Sequence, residues 1–257
     1  MLAIWPRGPT VCGVRSTVKV AAAQVREVLG DVPKALAVIE TYARRAEAAG
    51  VRLLCFPECF LQGYLHEPEA ARRIAAELES APFCLLLRQL AKVKPMVVFG
   101  LIEREGDRLY NAAAVVHRGE LIGKYRKRHL LGTEGIYQPG ADYPVFDVDG
   151  LIFGINICYD TQFPEAAAAV RDKGARLIVC PANNMLPRMA AEDWKDRHNV
   201  IRAARTRETG LWLISSDVTG ERDGMIGLGP TCALDPQGRV VASVPLRKEG
   251  LVTVVIP

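Results

Sequence analysis

Three polar residues stand where this chain could do chemistry, each directly after an apolar segment. Cys158 ends the apolar run 151–157, and a proline six residues later is well placed to start a helix. Glu58 follows a second apolar run through a single proline, and Lys127 stands where an alternating strand breaks off. Attack on a carbonyl carbon needs a nucleophile, a base that takes and returns its proton, and a cation for the oxyanion. The three residue types therefore predict a site built around a cysteine nucleophile.

The position of Cys158, between a predicted buried strand and a predicted helix, favours this interpretation. Open α/β sheets bind ligands beyond the carboxyl ends of their strands, where the next helix points its positive N-terminus. We therefore expect the Cys158 thiol to ionise more readily than a free cysteine. Taken singly, each residue also has a structural explanation. Cys158 could be a small core residue, Glu58 a charge at a helix start and Lys127 a solvated lysine.

Composition restricts the class of protein. A chain of 257 residues with 49% hydrophobic residues can bury one substantial core. The net charge is +4 without a run of five like charges, which argues against a nucleic-acid-binding protein. The basic pentamer 124–128 is, by itself, more typical of a solvated loop. No apolar segment approaches the ~18 residues of a membrane span, so no membrane association is expected.

Cysteine and histidine usage indicates a reduced protein without a metal. The seven cysteines are an odd number without C-x-x-C spacing, which favours a cytoplasmic location. The histidines His66, His117, His129 and His198 are scattered without metal-ligand spacing, so neither a metal site nor a cofactor is expected.

The order of elements predicts an α/β fold. Each half alternates buried strands with helices, and residues 96–126 form three antiparallel strands joined by hairpin turns. This pattern favours two mixed sheets stacked face to face with helices outside, a four-layer α-β-β-α sandwich. We expect a single domain over 18–257, preceded by a leader, 1–17, for which disorder is one option. Helices are predicted over 31–49, 67–92, 164–173 and 190–209.

Three motifs give the chain a family resemblance. They are Phe56-Pro57-Glu58, Tyr125-Arg126-Lys127-Arg128-His129-Leu130, and Ile157-Cys158-Tyr159-Asp160 followed by Phe163-Pro164-Glu165. In this order and at these separations they resemble the carbon-nitrogen hydrolase family, the nitrilase superfamily, and in particular its amidase-like members. The likeness covers nearly everything from Val18 onward.

The resemblance implies a Glu-Lys-Cys triad and a mechanism. Cys158 would attack the carbonyl carbon of a small carboxamide, and Glu58 would act as general base and then as acid toward the leaving amine. Water would hydrolyse the thioester, with ammonia as the other product. Lys127 and the backbone N–H of Tyr159 would stabilise the oxyanion, and Glu134 would hold the lysine in position. The partners implied are a small-molecule amide, water and a second copy of the chain, as a homodimer.

The resemblance also suggests pocket residues, namely Tyr64, Gln162, Asn183 and Asn184. Family members that act on dicarboxylate half-amides carry an arginine at one of the positions that here hold Thr161 and Gln162, so a substrate carboxylate is not expected at that point. The segment 182–185 predicts a differently shaped pocket wall. The chain lacks the long C-terminal tail that some relatives exchange across a dimer, which puts the tail-swapped form of dimer in question.

The motifs leave other functions open. An N-carbamoyl amidohydrolase or a nitrilase would use the same three residues. A non-catalytic binding protein could keep the fold, although all three positions are filled here. A thiol redox protein would want a resolving cysteine near Cys158, and none lies close in sequence. The sequence does not name the substrate.

Overall fold

The computed structural model describes residues 17–257, so the predicted leader lies outside the described residues except for Thr17. The strands, in chain order, are β1 (Val18–Arg26), β2 (Leu53–Cys55), β3 (Met96–Glu105), β4 (Arg108–His117), β5 (Glu120–Arg126), β6 (Val145–Val148), β7 (Leu151–Ile155), β8 (Leu177–Pro181), β9 (Met185–Pro187), β10 (Trp212–Ser216), β11 (Val218–Arg222), β12 (Met225–Leu228), β13 (Cys232–Leu234), β14 (Val240–Ser243) and β15 (Gly250–Ile256). The α-helices are α1 (Val32–Ala48), α2 (Pro68–Ile74), α3 (Ala81–Leu87), α4 (Pro164–Asp172), α5 (Arg188–Trp194) and α6 (Arg197–Thr209).

The strands of the described residues form two mixed sheets. The larger has the order β5-β4-β3-β2-β1-β11-β12-β9, with β15 also paired to β1. The smaller has the order β14-β13-β10-β8-β7-β6. In the larger sheet β1, β2 and β3 run parallel, and in the smaller sheet β7, β8 and β10 do. Glu58 follows β2 and Cys158 follows β7, so each stands just beyond the carboxyl end of a parallel strand.

The alternation of side chains along the strands creates the layers. In β1, Ala21 and Ala23 pack against Leu36 and Ile39 of α1, whereas Val20 and Ala22 face the core between the sheets. That central core also contains apolar side chains of β7, β8 and β10. A third cluster joins the outer face of the smaller sheet to α4 and α6. Three apolar interfaces separate four layers, which confirms the predicted α-β-β-α sandwich.

Local signals start and end α1 as the sequence predicts. The Asp31 carboxylate accepts a hydrogen bond from the backbone N–H of Lys34 at 3.0 Å, as an N-cap does. Gly50 follows the helix with φ +73°, a left-handed conformation that glycine adopts without strain. The predicted helix from Pro164 is also confirmed, as α4.

The single helix predicted over 67–92 is wrong. The structure has α2, then an extended segment, then α3, which continues into the short 3₁₀ turn Arg88–Leu90. Ala76 pairs with β3: its N–H donates to Ile102, and its carbonyl accepts from Arg104. The Ser80 hydroxyl then caps a new helix, and a proline stands in the first turn of that helix. A proline is incompatible with a helix interior but favourable at a helix start, which explains the break.

The helix predicted over 190–209 is also divided, into α5 and α6, with Lys195 and Asp196 between them. The short strands β6, β9, β11 and β12 were not predicted from the sequence. Within residues 17–257, no helix combines the length and the apolar character needed to cross a membrane.

Candidate active site

A buried cluster of two carboxylates and one ammonium lies where parallel strands of the two sheets end. The Nζ of Lys127 is 2.7 Å from Glu58 Oε1 and 2.9 Å from Glu134 Oε2. The three side chains are at most 1% exposed. The amide Nδ2 of Asn111 donates to Glu58 Oε1 and to Glu134 Oε1, both at 2.7 Å. Ion pairing and hydrogen bonds together offset the cost of burying these charges.

Backbone hydrogen bonds fix the positions of Glu58 and Lys127 in the cluster. The Glu58 N–H donates to the Ala182 carbonyl at 3.2 Å, and Glu58 Oε2 accepts from the Asn183 N–H at 3.0 Å. The Lys127 N–H donates to the Asn111 carbonyl at 2.8 Å. Glu58 is therefore held by the smaller sheet as well as by its own, which places it at the junction of the two.

Cys158 lies on a strained turn beside this cluster. Its φ is +42°, a left-handed conformation that is rare for a residue with a side chain and that clusters at functional sites. It opens the short 3₁₀ turn Cys158–Gln162, and the Thr161 hydroxyl donates to its carbonyl at 2.7 Å. The thiol donates a long hydrogen bond to Asn184 Oδ1, with 3.9 Å between sulfur and oxygen. The Cys158 side chain is thus half-buried against the central core.

Asp160 ties the cysteine turn to the lysine segment. Its Oδ2 accepts from the Tyr125 hydroxyl at 2.8 Å and from the Ile157 N–H at 2.9 Å, and its Oδ1 accepts from the His129 N–H at 2.9 Å. Tyr125 lies two residues before Lys127 in the sequence, and His129 lies two residues after it. One carboxylate therefore sets the distance between the thiol and the ammonium.

We expect Asp160→Asn to lower stability by about 1–3 kcal/mol, because the new NH₂ group would face a buried donor and leave it unpaired. Urea unfolding followed by circular dichroism measures this change. Asp147→Asn, at an exposed position of β6 with one hydrogen bond from the Gly150 N–H, is the matched control and should cost less than ~1 kcal/mol. Equal losses in the two variants would contradict the linking role of Asp160.

The expectation of a readily ionised thiol is wrong for the free protein. Burial and the neighbouring Glu58 carboxylate raise the pKa of Cys158 well above that of a free cysteine, and the nearby Lys127 offsets this only in part. The helix expected to favour the thiolate begins only at Pro164. The resting sulfur is therefore a thiol, and it needs a base to become a nucleophile.

The charge states of the cluster distinguish its two carboxylates. Burial raises the pKa of Glu58 above its ordinary value, although Lys127 opposes the rise. Burial alone would lower the pKa of Lys127, but Glu58, Cys158 and Glu134 raise it, so the ammonium stays charged. The pKa of Glu134 is lowered, because Lys127 outweighs the effect of burial. Glu58 is thus the stronger proton acceptor of the two carboxylates.

A cavity of about 260 Å³ opens above the sulfur. Its walls are Leu131, Cys158, Tyr159, Thr161, Gln162, Asn184, Leu186, Trp194, His198, Ile201 and Arg202. Two of the four predicted pocket residues, Gln162 and Asn184, are among them. Asn183 is not, and its side chain donates to Glu27. Tyr64 is not among them either, and it packs beside Cys59. Its buried hydroxyl has no hydrogen-bond partner among the described residues, and burial together with the nearby Glu58 and Glu134 carboxylates raises its pKa.

Sequence reasoning missed four polar residues of this site. The sequence assigns no role to Asn111, and Asp160 stands in one of the motifs without a role of its own. Arg202 and Asp217 were not noted at all, and their side chains form a buried ion pair at 3.5 Å. One signal could have found Asp217: it directly follows the buried strand β10, as Glu58 and Cys158 follow β2 and β7 at a short distance.

Close packing against the Glu58 backbone gives a further prediction. A Cβ at Gly100 would lie 2.2 Å from the Cys59 nitrogen and 2.6 Å from the Glu58 carbonyl carbon. We expect Gly100→Ala to cost about 1–3 kcal/mol in the free energy of unfolding, because β3 or the loop that holds Glu58 must move. Gly135→Ala, where a Cβ meets nothing within 4 Å, is the matched control. Unchanged stability of Gly100→Ala by urea unfolding would contradict this packing.

Comparison with known proteins places the chain in a family. Residues 19–257 match the model of the carbon-nitrogen hydrolase family. The nitrilase of Pyrococcus abyssi is 32% identical over 229 residues, which are 88% of this chain and 84% of that protein. An (R)-stereoselective amidase of a Pseudomonas species is 30% identical over 196 residues, 76% and 69% of the two chains.

Solved structures agree with this placement. An amidase from Nesterenkonia sp. superposes with a TM-score of 0.81 at 25% identity, over 93% of this chain and 90% of that chain. A mutant of the amidase from Nesterenkonia sp. AN1, also 25% identical with a TM-score of 0.81 over 93% of each chain, shows Michael addition of acrylamide at its active site cysteine. This chain therefore belongs to the carbon-nitrogen hydrolase family of the nitrilase superfamily.

Proposed function

We propose that this carbon-nitrogen hydrolase cleaves the amide bond of a small carboxamide through a thioester on Cys158. Glu58 takes the thiol proton as the sulfur attacks the carbonyl carbon, and a sulfur–carbon bond forms. Lys127 and the Tyr159 N–H stabilise the oxyanion. As the carbon–nitrogen bond breaks, Glu58 gives the proton to the leaving amine, which departs as ammonia.

The second half-reaction restores the enzyme. A water molecule attacks the thioester carbonyl while Glu58 accepts a proton from it. The carbon–sulfur bond then breaks, the proton returns to the sulfur, and a carboxylic acid leaves. In this proposal Glu134 is a positioning residue, because within residues 17–257 the hydrogen bonds of its carboxylate go to Lys127, Asn111 and the Leu131 N–H.

The observation that carries the proposal is the joint burial of Glu58 and Lys127 beside a cysteine on a strained turn. A structural cysteine does not need a left-handed backbone, and a structural ion pair does not need to lie beside a thiol that lines a cavity. Both features fit a site that binds a substrate above the sulfur. The raised pKa of Glu58 also fits a carboxylate that must accept a proton from a thiol near neutral pH.

Nitrile hydrolysis is the second candidate, because the Pyrococcus abyssi relative is named a nitrilase. A nitrile takes up two water molecules to give a carboxylic acid and ammonia, so it shares the product that would be measured. An N-carbamoyl substrate would also release ammonia, together with carbon dioxide and an amine.

An ammonia-release screen tests the proposal. Primary amides, N-carbamoyl compounds, half-amides and nitriles are each incubated with the protein, and the organic product is identified by mass spectrometry. We expect turnover in the primary amide series. Ammonia from nitriles alone would instead assign nitrile hydrolysis to the protein. If no class of compound releases ammonia, the proposal is overturned in favour of a binding protein.

The pH profile tests the role of Glu58. Because its pKa is raised in the folded protein, the base form is lost at a higher pH than for an ordinary glutamate, whose pKa is about 4.3. We expect the acid limb of kcat/KM to lie above that value. Glu58→Gln should lower kcat by about 10²–10⁴-fold and remove the limb. A limb that persists unchanged in Glu58→Gln would assign the base elsewhere.

The homodimer and the cytoplasmic location stay predictions. Sedimentation velocity of the purified chain tests the first, and fractionation of the source cells tests the second.

A further inference from the structure

The cavity above Cys158 is lined by both apolar and polar side chains. Leu131, Leu186, Trp194 and Ile201 supply aliphatic and aromatic surface, and Thr161, Gln162 and Asn184 supply uncharged polar groups. The volume of about 260 Å³ is near the lower end for small-molecule sites. An apolar cavity of about 150 Å³ is large enough for benzene, so the space accommodates an amide with a branched aliphatic or single-ring group.

The charged side chain in the wall already has a partner. Arg202 is 2% exposed, and its guanidinium lies 3.5 Å from Asp217 Oδ2. It also donates to Asn199 Oδ1 at 3.0 Å and to the Pro230 carbonyl at 2.9 Å. A cation engaged in this way would have to give up partners to bind a substrate carboxylate.

Three hydrogen bonds hold the Asp217 carboxylate in place. It accepts from the backbone N–H of Asn184 at 3.0 Å, from the Asn184 side-chain amide at 2.5 Å and from the Val218 N–H at 2.9 Å. Burial raises the pKa of Asp217, and the guanidinium and these hydrogen bonds oppose the rise. The same contacts turn Asn184 Oδ1 toward the thiol. The ion pair is thus part of the cavity's framework.

The histidine in the wall is neutral. His198 packs 5.4 Å from the Trp194 ring, and burial together with Arg202 lowers the pKa of His198 to about 3. Within the described residues, the cations of the wall and of the adjoining cluster are Arg202 and Lys127, and each has a carboxylate partner. A charged acyl group would therefore lose its water without gaining a counter-ion.

We propose that the cavity selects amides of uncharged, apolar monocarboxylic acids with a branched aliphatic or single-ring acyl group, and rejects amides with a carboxylate or an ammonium in that group. The selection rests on the proposed amide hydrolysis at Cys158. The Arg202–Asp217 pair is its determinant, because it leaves no free charge in a wall otherwise lined by apolar and uncharged polar side chains.

Open-chain primary amides test this selection in the unmodified protein. 4-Methylpentanamide and succinamate match in shape and differ in the charge of the branched end, and 3-aminopropanamide carries an ammonium at the end of a shorter chain. We expect kcat/KM for 4-methylpentanamide to exceed the other two values by at least about 100-fold, since burying an unpaired ion costs several kcal/mol. Equal or higher values for either charged amide would overturn the selection while keeping the amidase proposal. No ammonia from any amide would instead refute the amidase proposal.

A variant tests the determinant. Asp217→Asn leaves Arg202 charged without its carboxylate, so the preference for 4-methylpentanamide over succinamate should fall at least tenfold. The ratio is the readout because both amides use the same catalytic residues. Asp235→Asn, which removes a buried carboxylate bonded to Arg239, is the matched control and should keep the wild-type ratio. An unchanged ratio in folded Asp217→Asn would overturn the role of the ion pair, and the wild-type comparison decides the selection if that variant does not fold.

Discussion

Replacement of Cys158 by alanine is expected to abolish ammonia release while the fold persists. The loss should be on the order of 10⁵–10⁶-fold in kcat, as when the nucleophile of a covalent mechanism is removed. The fold should persist because the thiol's hydrogen bond among the described residues is a single long one, to Asn184, and the backbone strain at φ +42° is not increased by a smaller side chain. Steady-state ammonia release and the thermal midpoint measure the two effects.

Cys84→Ala is the matched control for this variant. Cys84 lies exposed on α3, away from the cavity walls, so its loss should change neither activity nor the thermal midpoint. Residual turnover above a hundredth of the wild-type rate in Cys158→Ala would contradict the assignment of the nucleophile.

Replacement of Lys127 by methionine should damage both stability and activity. The two carboxylates that now flank the ammonium would face each other in a buried site without a cation. Removing one partner of a buried ion pair typically costs 3–5 kcal/mol. Activity should fall by about 10²–10³-fold in any protein that still folds, because one donor to the oxyanion is lost. Urea unfolding measures the first effect and ammonia release the second.

Two comparisons separate the cluster from a general effect of losing a lysine. Lys94→Met removes an exposed ion pair with Glu47 and should cost less than ~1 kcal/mol. Adding Glu134→Gln to Lys127→Met removes one of the two stranded carboxylates, so the double variant should be more stable than Lys127→Met alone. A double variant that is less stable by the sum of the two single losses would contradict the buried cluster.

The parts of the site that follow from local patterns could be predicted from the sequence. Glu58 and Cys158 each come after a continuous apolar run, and such a run marks a strand that is covered on both faces. Strands of that kind end at the edge where ligands bind, so the two residues could be placed at the same edge. Lys127 required the motif around it, because one lysine after an exposed strand carries little signal.

The parts that depend on distant contacts could not be predicted. Asn111 bridges two carboxylates from other segments, and Asp217 pairs with Arg202 from the preceding helix. Apolar spacing also failed where a tertiary contact competed with the helix: Ala76 bonds to β3 in the middle of a predicted helix. The raised pKa of Cys158 could not be predicted, because the sequence indicates the position of its turn but not its burial beside Glu58.

The competition between Cys158 and Cys84 for iodoacetamide tests the central claim most directly, because the reagent is itself a small amide. Peptide mass mapping at neutral pH gives the alkylation rate of each cysteine. We predict that partly buried Cys158 reacts before exposed Cys84, that a substrate amide protects Cys158 alone, and that Glu58→Gln removes the preference. Alkylation of Cys84 first, with Cys158 unlabelled or indifferent to the loss of Glu58, would contradict the account.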